Sequence, residues 1–231
     1  PAPDALGLTQ ALLFSPLFHA KSMHPHAKTI SMNVAFSKPM TLAEFLDWEE
    51  QQPPRYELDG FQPVAMTGGT AAHADIQANI AASLRGRLRG KPCKYYGNDL
   101  KIEAAGHIRY PDGFAVCSPV ANASTVVRHP VVIFEVLSPG TSSTDRIVKN
   151  QEYRATLSIQ RYIILEQDRI AATVFARTGG EWSGRVVLDD AVLSMPEIGI
   201  EVPLAEFYEG LALGIPGDVK ETGHTDYGHP S

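Results

Sequence analysis

Two carboxylates, those of Glu135 and Asp112, lie at positions where an acidic side chain could bind a cation. Glu135 interrupts an apolar run over residues 131–137, which predicts a central strand that is buried on both faces. An ionised carboxylate in such a strand requires a metal ion, a buried salt bridge or a strand end that reaches solvent. Asp112 precedes a second apolar strand, predicted over residues 113–117.

The spacing of Asp112 and Glu135 suits a divalent cation. Taken alone, the Pro-Asp-Gly sequence around Asp112 is also typical of a simple turn. An acidic residue at the start of one strand and another inside the next strand would bring two hard oxygen ligands together if the strands are neighbours. Such ligands favour Mg²⁺ or Mn²⁺ over zinc.

Two further polar residues are candidates for the same site. Glu57 lies on a predicted short strand, where it can serve the site or pair with Arg55 or another cation. His73 lies one turn into a predicted long helix, on the side that faces the sheet. A structural histidine is the alternative there.

A loop rich in hydroxyl groups, over residues 138–144, joins the strand of Glu135 to a predicted helix. The N-terminus of a helix is a natural anion site. A capping box between Ser142 and Asp145 would explain the same composition. Lys149 can either act in a site or form an i,i+4 ion pair with Asp145.

The rest of the pattern predicts a mixed α+β fold in which helices flank a mixed central sheet. Thr41 and Glu44 form a capping-box pattern for a short helix over 41–51, and an Asp-Gly turn joins strands over 56–58 and 62–66. Apolar residues recur every four positions in a helix over 70–89. Further strands are predicted over 93–95, 100–103, 108–110, 162–166, 172–177 and 185–188, and helices over 143–155 and 204–208.

The ends of the chain differ from this central pattern. Residues 1–38 carry no sustained period and are predicted to be a loosely ordered extension, and residues 214–231 a mobile tail. The domain is expected over 39–213. A net charge of −6 argues against a protein that coats DNA, and less against an enzyme whose carboxylates bind metal.

The chain contains two cysteines, Cys93 and Cys117, which we predict to be buried reduced thiols in a cytoplasmic protein. No apolar stretch is long enough to predict a membrane span. Nucleophile-elbow, Walker, dinucleotide-binding and zinc-finger motifs are missing from the sequence, which disfavours those classes.

In order along the chain, the motifs from Met40 to Tyr208 resemble the Uma-two family of endonucleases, within the PD-(D/E)XK nuclease superfamily. They are MTLAEF at 40–45, RYELDG at 55–60, the helical His73, YPDG at 110–113, FEVLSP at 134–139 and D-x₃-K-x₃-Y at 145–153. The resemblance implies a restriction-endonuclease-like core. It departs from the superfamily at Leu137, where a lysine is expected, and by analogy Lys149 would take that role.

The resemblance implies a Mg²⁺- or Mn²⁺-dependent endonuclease that hydrolyses phosphodiester bonds in DNA. Asp112 and Glu135 would bind the metal, Glu57 would complete its shell directly or through water, and Lys149 would orient the attacking water or stabilise the phosphate. His73 would orient the residues that bind the metal without binding it directly. The alternative is a non-catalytic dimerising or regulatory protein on the same scaffold, and a homodimer or higher homo-oligomer is open under both hypotheses.

Overall fold

The structure, a computed structural model, describes the chain over residues 39–66, 68–137 and 144–213, except for the side chains of residues 144 and 145. The helices are α1 (Leu42–Glu49), α2 (Ala71–Arg87), a π-helix (Thr144–Lys149), α3 (Asn150–Ala155) and a 3₁₀-helix (Leu204–Tyr208). The strands are β1 (Tyr56–Asp59), β2 (Gln62–Ala65), β3 (Lys94–Gly97), β4 (Lys101–Ala104), β5 (His107–Arg109), β6 (Gly113–Val116), β7 (Val126–Val127), β8 (Pro130–Val136), β9 (Arg161–Leu165), β10 (Ala171–Thr178), β11 (Glu181–Leu188), β12 (Val192–Met195) and β13 (Ile200–Pro203). The predicted extension over 1–38, the predicted tail over 214–231 and the loop over 138–143 lie outside the described residues.

Strand β8 lies inside a six-stranded mixed sheet of order β11-β10-β9-β8-β6-β3. It pairs antiparallel with β6 and parallel with β9. Six of its seven residues are buried, which explains the unbroken apolar run and confirms the predicted central strand. The antiparallel pairing of β6 with β8 also confirms that the strand after Asp112 and the strand that contains Glu135 are neighbours.

The two faces of this sheet hold two apolar clusters. On one face, Ile76, Ile80 and Leu84 of α2 pack against Phe134 and its neighbours. These are the residues whose four-residue spacing predicted the helix, so that prediction is confirmed. On the other face, Ile133 packs with aromatic side chains of α3 and β9. Glu135 shares the side of Ile133, since side chains alternate along a strand.

A second sheet, of order β2-β1-β5-β4-β7, carries α1 against it. Thr41 caps α1 in a capping box with Glu44, as predicted: the Thr41 side chain accepts from the Glu44 backbone, and the Glu44 carboxylate accepts from the Thr41 backbone at 2.8 Å. The predicted hairpin is confirmed as β1 and β2.

Some elements differ from the prediction. Strands β7, β12 and β13 were not predicted, because each is only two to four residues long. The helix expected over 143–155 begins as a π-helix and continues as α3. π-Helical segments are rare and frequently occur at functional sites.

The prediction of two reduced thiols was wrong. Cys93 and Cys117 form a disulfide. Lys94 of β3 pairs with Val116 of the antiparallel strand β6. Cys93, one residue before Lys94, therefore lies opposite Cys117, one residue after Val116. Their separation of 24 residues gives no sign of this pairing in the sequence.

Candidate active site

Glu135 is held by two donors on the helical segment that follows its strand. Its Oε1 atom accepts a hydrogen bond from Nζ of Lys149 and another from the hydroxyl of Tyr153, both at 3.0 Å. Only 3% of Glu135 is exposed. The buried salt bridge, one of the alternatives that the sequence left open, is therefore present, and its partner is Lys149.

Lys149 also connects Glu135 with a third candidate. It is the last residue of the π-helix and is buried. Its Nζ atom lies 3.7 Å from Oε1 of Glu57. The structure therefore brings three of the predicted site residues together around one ammonium group. The predicted pairing with Asp145 lies outside the described side chains.

Asp112 is fixed from two directions at the start of β6. Its Oδ2 atom accepts from the backbone nitrogen of Val136 at 2.6 Å and lies 3.2 Å from Nε2 of His73. Its Oδ1 atom accepts from Gln77 at 2.5 Å. Asp112 is thus bound to the residue next to Glu135 and to one face of α2, where His73 was predicted to lie.

Glu57 does not pair with Arg55. Its Oε1 atom accepts from the backbone nitrogen of Tyr110 at 2.9 Å, and Oε2 accepts from Arg109 at 3.2 Å. Arg55 instead pairs with Asp99 at the surface. The other cation that the sequence allowed for Glu57 is therefore Arg109, with Lys149 beside it.

Arg109 is the centre of a buried ion-pair network that the sequence did not reveal. It is 1% exposed and donates two hydrogen bonds to Glu152 of α3, at 2.7 and 2.5 Å, and one to Asp59 at 2.9 Å. Burial lowers the pKa of Arg109, but the hydrogen bond with Glu152 and the charges of Glu57 and Glu152 outweigh it and raise that pKa above its ordinary value. Arg109 therefore holds β1, β5 and α3 together as a permanent cation.

Tyr153 is a second site residue to which the sequence assigned no role. Its spacing of four residues from Lys149 places both on one side of the helical segment, and this spacing was the available signal. Burial, followed by the charge of Glu135, raises the pKa of the Tyr153 hydroxyl well above its ordinary value. The hydroxyl thus stays protonated and able to donate to Glu135.

The sequence profile of the Uma2 family, described as "Putative restriction endonuclease", matches residues 42–205, which is more than half of the 231-residue chain. This chain belongs to the Uma2 family. Among similar proteins, the uncharacterized protein slr1290 of Synechocystis sp. is 29% identical over 173 residues, covering 73% of this chain and 91% of its own length. A second Synechocystis protein, sll1609, is 26% identical, covering 59% of this chain and 80% of its own.

A solved structure supports the fold of this Uma2 protein. The crystal structure of a protein from Anabaena variabilis, titled "a putative nuclease belonging to DUF820", matches with a TM-score of 0.61 and 18% identity. The match covers 74% of this chain and 98% of the other. Together with the helix-flanked mixed sheet, this confirms the restriction-endonuclease-like fold.

The described part of this Uma2 chain contains one group of three ligand atoms within 4.8 Å of one another that could hold a metal, formed by Asp59, His107 and Glu152. This is not the predicted set. Arg109 donates to Asp59 and Glu152 from a single nitrogen, and the backbone of Gly60 donates to Nδ1 of His107 at 3.0 Å. Two of its three members already bind one guanidinium nitrogen, so we interpret the group as an ion-pair network.

No helix in the described ranges of this Uma2 protein is long and apolar enough to cross a membrane.

Proposed function

We propose that this protein is a Mg²⁺- or Mn²⁺-dependent endonuclease that hydrolyses phosphodiester bonds in DNA. The observation that carries the proposal is the ion pair of Lys149 with Glu135, buried one residue from the backbone group that binds Asp112. An ammonium and two carboxylates from adjacent strands are the groups that metal-assisted phosphodiester hydrolysis needs. Membership of the Uma2 family supports the reaction class.

The chemical type of the proposed ligands suits a hard divalent cation. Glu57, Asp112 and Glu135 offer carboxylate oxygens only, which suit Mg²⁺ or Mn²⁺. Among the described side chains, three largely buried carboxylates, those of Glu57, Glu135 and Glu152, contact the cationic side chains of Lys149 and Arg109. A divalent cation would offset this excess of negative charge in a buried place.

The proposed site consists of metal ligands and one cationic side chain, with different roles. A divalent cation, when bound, polarises a phosphoryl oxygen and lowers the pKa of a bound water. Glu57, Asp112 and Glu135 would hold it. Lys149 stabilises negative charge on the phosphate or orients the attacking water.

Other residues position these groups. His73 and the backbone of Val136 fix the orientation of the Asp112 carboxylate. Tyr153 fixes Oε1 of Glu135. Their hydrogen bonds restrict the rotamers of the two acidic side chains, which lowers the cost of holding them in one geometry.

A second candidate is the non-catalytic dimerising or regulatory protein. The observation that favours it is that Glu57 and Glu135 have cationic partners within the chain, Arg109 and Lys149. The fold therefore does not depend on a metal to neutralise these two carboxylates. In this case the protein would keep the nuclease fold without hydrolysing a nucleic acid.

Cleavage assays with matched variants separate the two functions. Wild type should cut plasmid DNA with Mg²⁺ or Mn²⁺ and not with EDTA. Asp112→Asn should lose both Mn²⁺ binding and cleavage. The matched control is Asp99→Asn, whose carboxylate is 84% exposed and pairs with Arg55 at the surface, and it should retain both. A folded wild-type protein that cuts neither DNA nor RNA with either metal would leave the non-catalytic candidate as the better account.

A further inference from the structure

A strongly basic segment links α2 to β3 in this acidic protein. Between Asp75 and Asp99 the chain has five cations and no carboxylate, although its net charge is −6. The five are Arg85, Arg87, Arg89, Lys91 and Lys94. The net charge of the chain therefore does not reveal this local concentration of positive charge.

This segment forms an open pocket of about 320 Å³ at the edge of the six-stranded sheet. Its lining includes Arg85, Arg89, Lys91 and Lys94, together with Tyr95 and Tyr96. Strand β3 is the edge strand here, and among the described strands β6 alone pairs with it in this sheet. The pocket thus places cationic side chains beside the half-buried ring of Tyr96, whereas Tyr95 is buried.

Two of the five cations have partners within the protein. Arg87 donates to Glu206 at 2.7 Å, and Lys91 donates to the carbonyl oxygen of Gly199. Arg85, Arg89 and Lys94 are exposed and make no ion pair within the described ranges. Three like charges in one pocket repel one another, so an external anion would stabilise them. A lysine can protect an edge strand from aggregation, but this explains Lys94 alone and not the two arginines on the helical side.

Tyr95, which lines the pocket, also contacts the candidate active site. The hydroxyl of Tyr95 reaches the carbonyl oxygen of Asp112 at 3.5 Å. Lys94 lies three residues along β3 from Gly97, which pairs with Gly113 beside Asp112. The distance along β3 from Lys94 to Gly97 is roughly 10 Å at about 3.3 Å per residue. It corresponds to about three base-pair steps of DNA.

We propose that Arg85, Arg89 and Lys94, which we call the basic groove, bind the phosphate backbone of the DNA strand that flanks the cleaved bond. The proposal rests on the proposed nuclease function, because it takes DNA as the substrate. Contacts with phosphates position DNA without reading its sequence. Tyr96, the half-buried ring of the pocket, gives it a surface for a base or sugar beside the phosphates. The basic groove would also offset the acidic net charge for an approaching polyanion.

The test measures binding of the full chain to a fluorescent DNA duplex with EDTA, where no metal-dependent hydrolysis occurs. The variant Arg85→Ala/Arg89→Ala/Lys94→Ala should raise the Kd by about 10-fold or more and reduce the salt slope, log Kd against log salt, by about 3. The matched control is Arg154→Ala/Arg169→Ala/Arg185→Ala, which removes the same charge from exposed positions elsewhere. It should change the Kd by less than about 3-fold, because salt screens distant charges.

Several outcomes would overturn the basic groove. They are a wild type that does not bind the duplex, equal losses in the two triple variants, or binding of RNA but not DNA. Melting temperatures check the fold of each variant. The single substitution Arg89→Glu reverses one exposed charge and should weaken binding as well, so the test does not depend on the triple variant alone.

The two proposals fail in different ways. If wild type binds DNA through the basic groove but never cuts it with Mg²⁺ or Mn²⁺, the nuclease function fails and the groove stands as a DNA-binding surface. If wild type cuts DNA and the groove variant binds it as tightly as the control variant does, the groove fails and the nuclease function stands.

Discussion

The ammonium group of Lys149 donates a hydrogen bond to Oε1 of Glu135 over 3.0 Å, across fourteen residues of sequence. Glu135 comes from the central strand β8, and Lys149 from the π-helix that follows it. Both side chains are buried, so their charges interact more strongly than they would in water. This ion pair joins the strand to the helical segment and is the centre of the proposed active site.

Replacing Lys149 should separate catalysis from metal binding. A charged lysine cannot ligate a cation, so Lys149→Met should leave Mn²⁺ affinity within a few-fold or slightly improve it. Cleavage of DNA should fall by about 10²-fold or more, as on removal of an electrostatic stabiliser. Calorimetric titration and cleavage rates measure the two effects. Arg146→Met, an exposed position on the same π-helix, is the control, and a near wild-type rate for Lys149→Met would reduce Lys149 to a structural ion partner.

Arg109 should matter for stability. Arg109→Met leaves the carboxylates of Glu57 and Glu152 buried without their main cation, which should cost about 3–5 kcal/mol of unfolding free energy. Urea denaturation measures the change. Arg128→Met is a matched control, because Arg128 is 61% exposed and its one ion pair, with Glu103, should contribute less than about 1 kcal/mol. Similar losses for both variants would contradict a special role for the buried network.

Alkaline pH should destabilise the fold through its tyrosines. Burial is the largest cause that raises the pKa of Tyr95, Tyr110, Tyr153 and Tyr208 above the ordinary value of about 10. In the unfolded chain these hydroxyls lose their protons near pH 10, whereas the folded chain keeps them to higher pH. The stability is therefore complete below pH 10 and declines as pH rises above it.

Urea unfolding from pH 8 to about pH 11, with tyrosinate absorbance, measures this effect. These four of the eight tyrosines should ionise only as the protein unfolds. Ionisation of all eight near pH 10 in a protein that remains folded would contradict the prediction.

The disulfide should stabilise the edge of the six-stranded sheet. It closes a segment with a sequence separation of 24 residues, and the loss of this constraint should cost about 3 kcal/mol. Thermal or urea unfolding with and without a thiol reductant measures the loss. In the double variant Cys93→Ser/Cys117→Ser the reductant should have no further effect, and an unchanged wild-type stability under reduction would show that the link is not needed.

Local spacing in the sequence determined several parts of this protein. The apolar run around Glu135 predicted a central strand, because only a strand with both faces covered stays apolar throughout. The four-residue period of Ile76, Ile80 and Leu84 predicted α2 and its buried face, and the pattern of Thr41 and Glu44 predicted a helix cap. These features depend on residues within a few positions of one another, so the sequence displays them directly.

The candidate site was predictable only in part. The sequence identified Glu57, Asp112, Glu135 and Lys149 as candidates, and the structure joins three of them around the Lys149 ammonium and ties Asp112 to the backbone beside Glu135. The metal-binding and catalytic roles of these residues stay predictions.

Only the tertiary structure decided which distant residues meet. Arg109 and Glu152 are separated by 43 residues, Asp112 and Gln77 by 35, and the two cysteines by 24. Their contacts depend on strand register and on how helices pack against the sheets. A shift of one residue would turn each side chain to the other face. Such contacts leave no periodic signal, because the free energy that fixes them comes from the packing of the whole core.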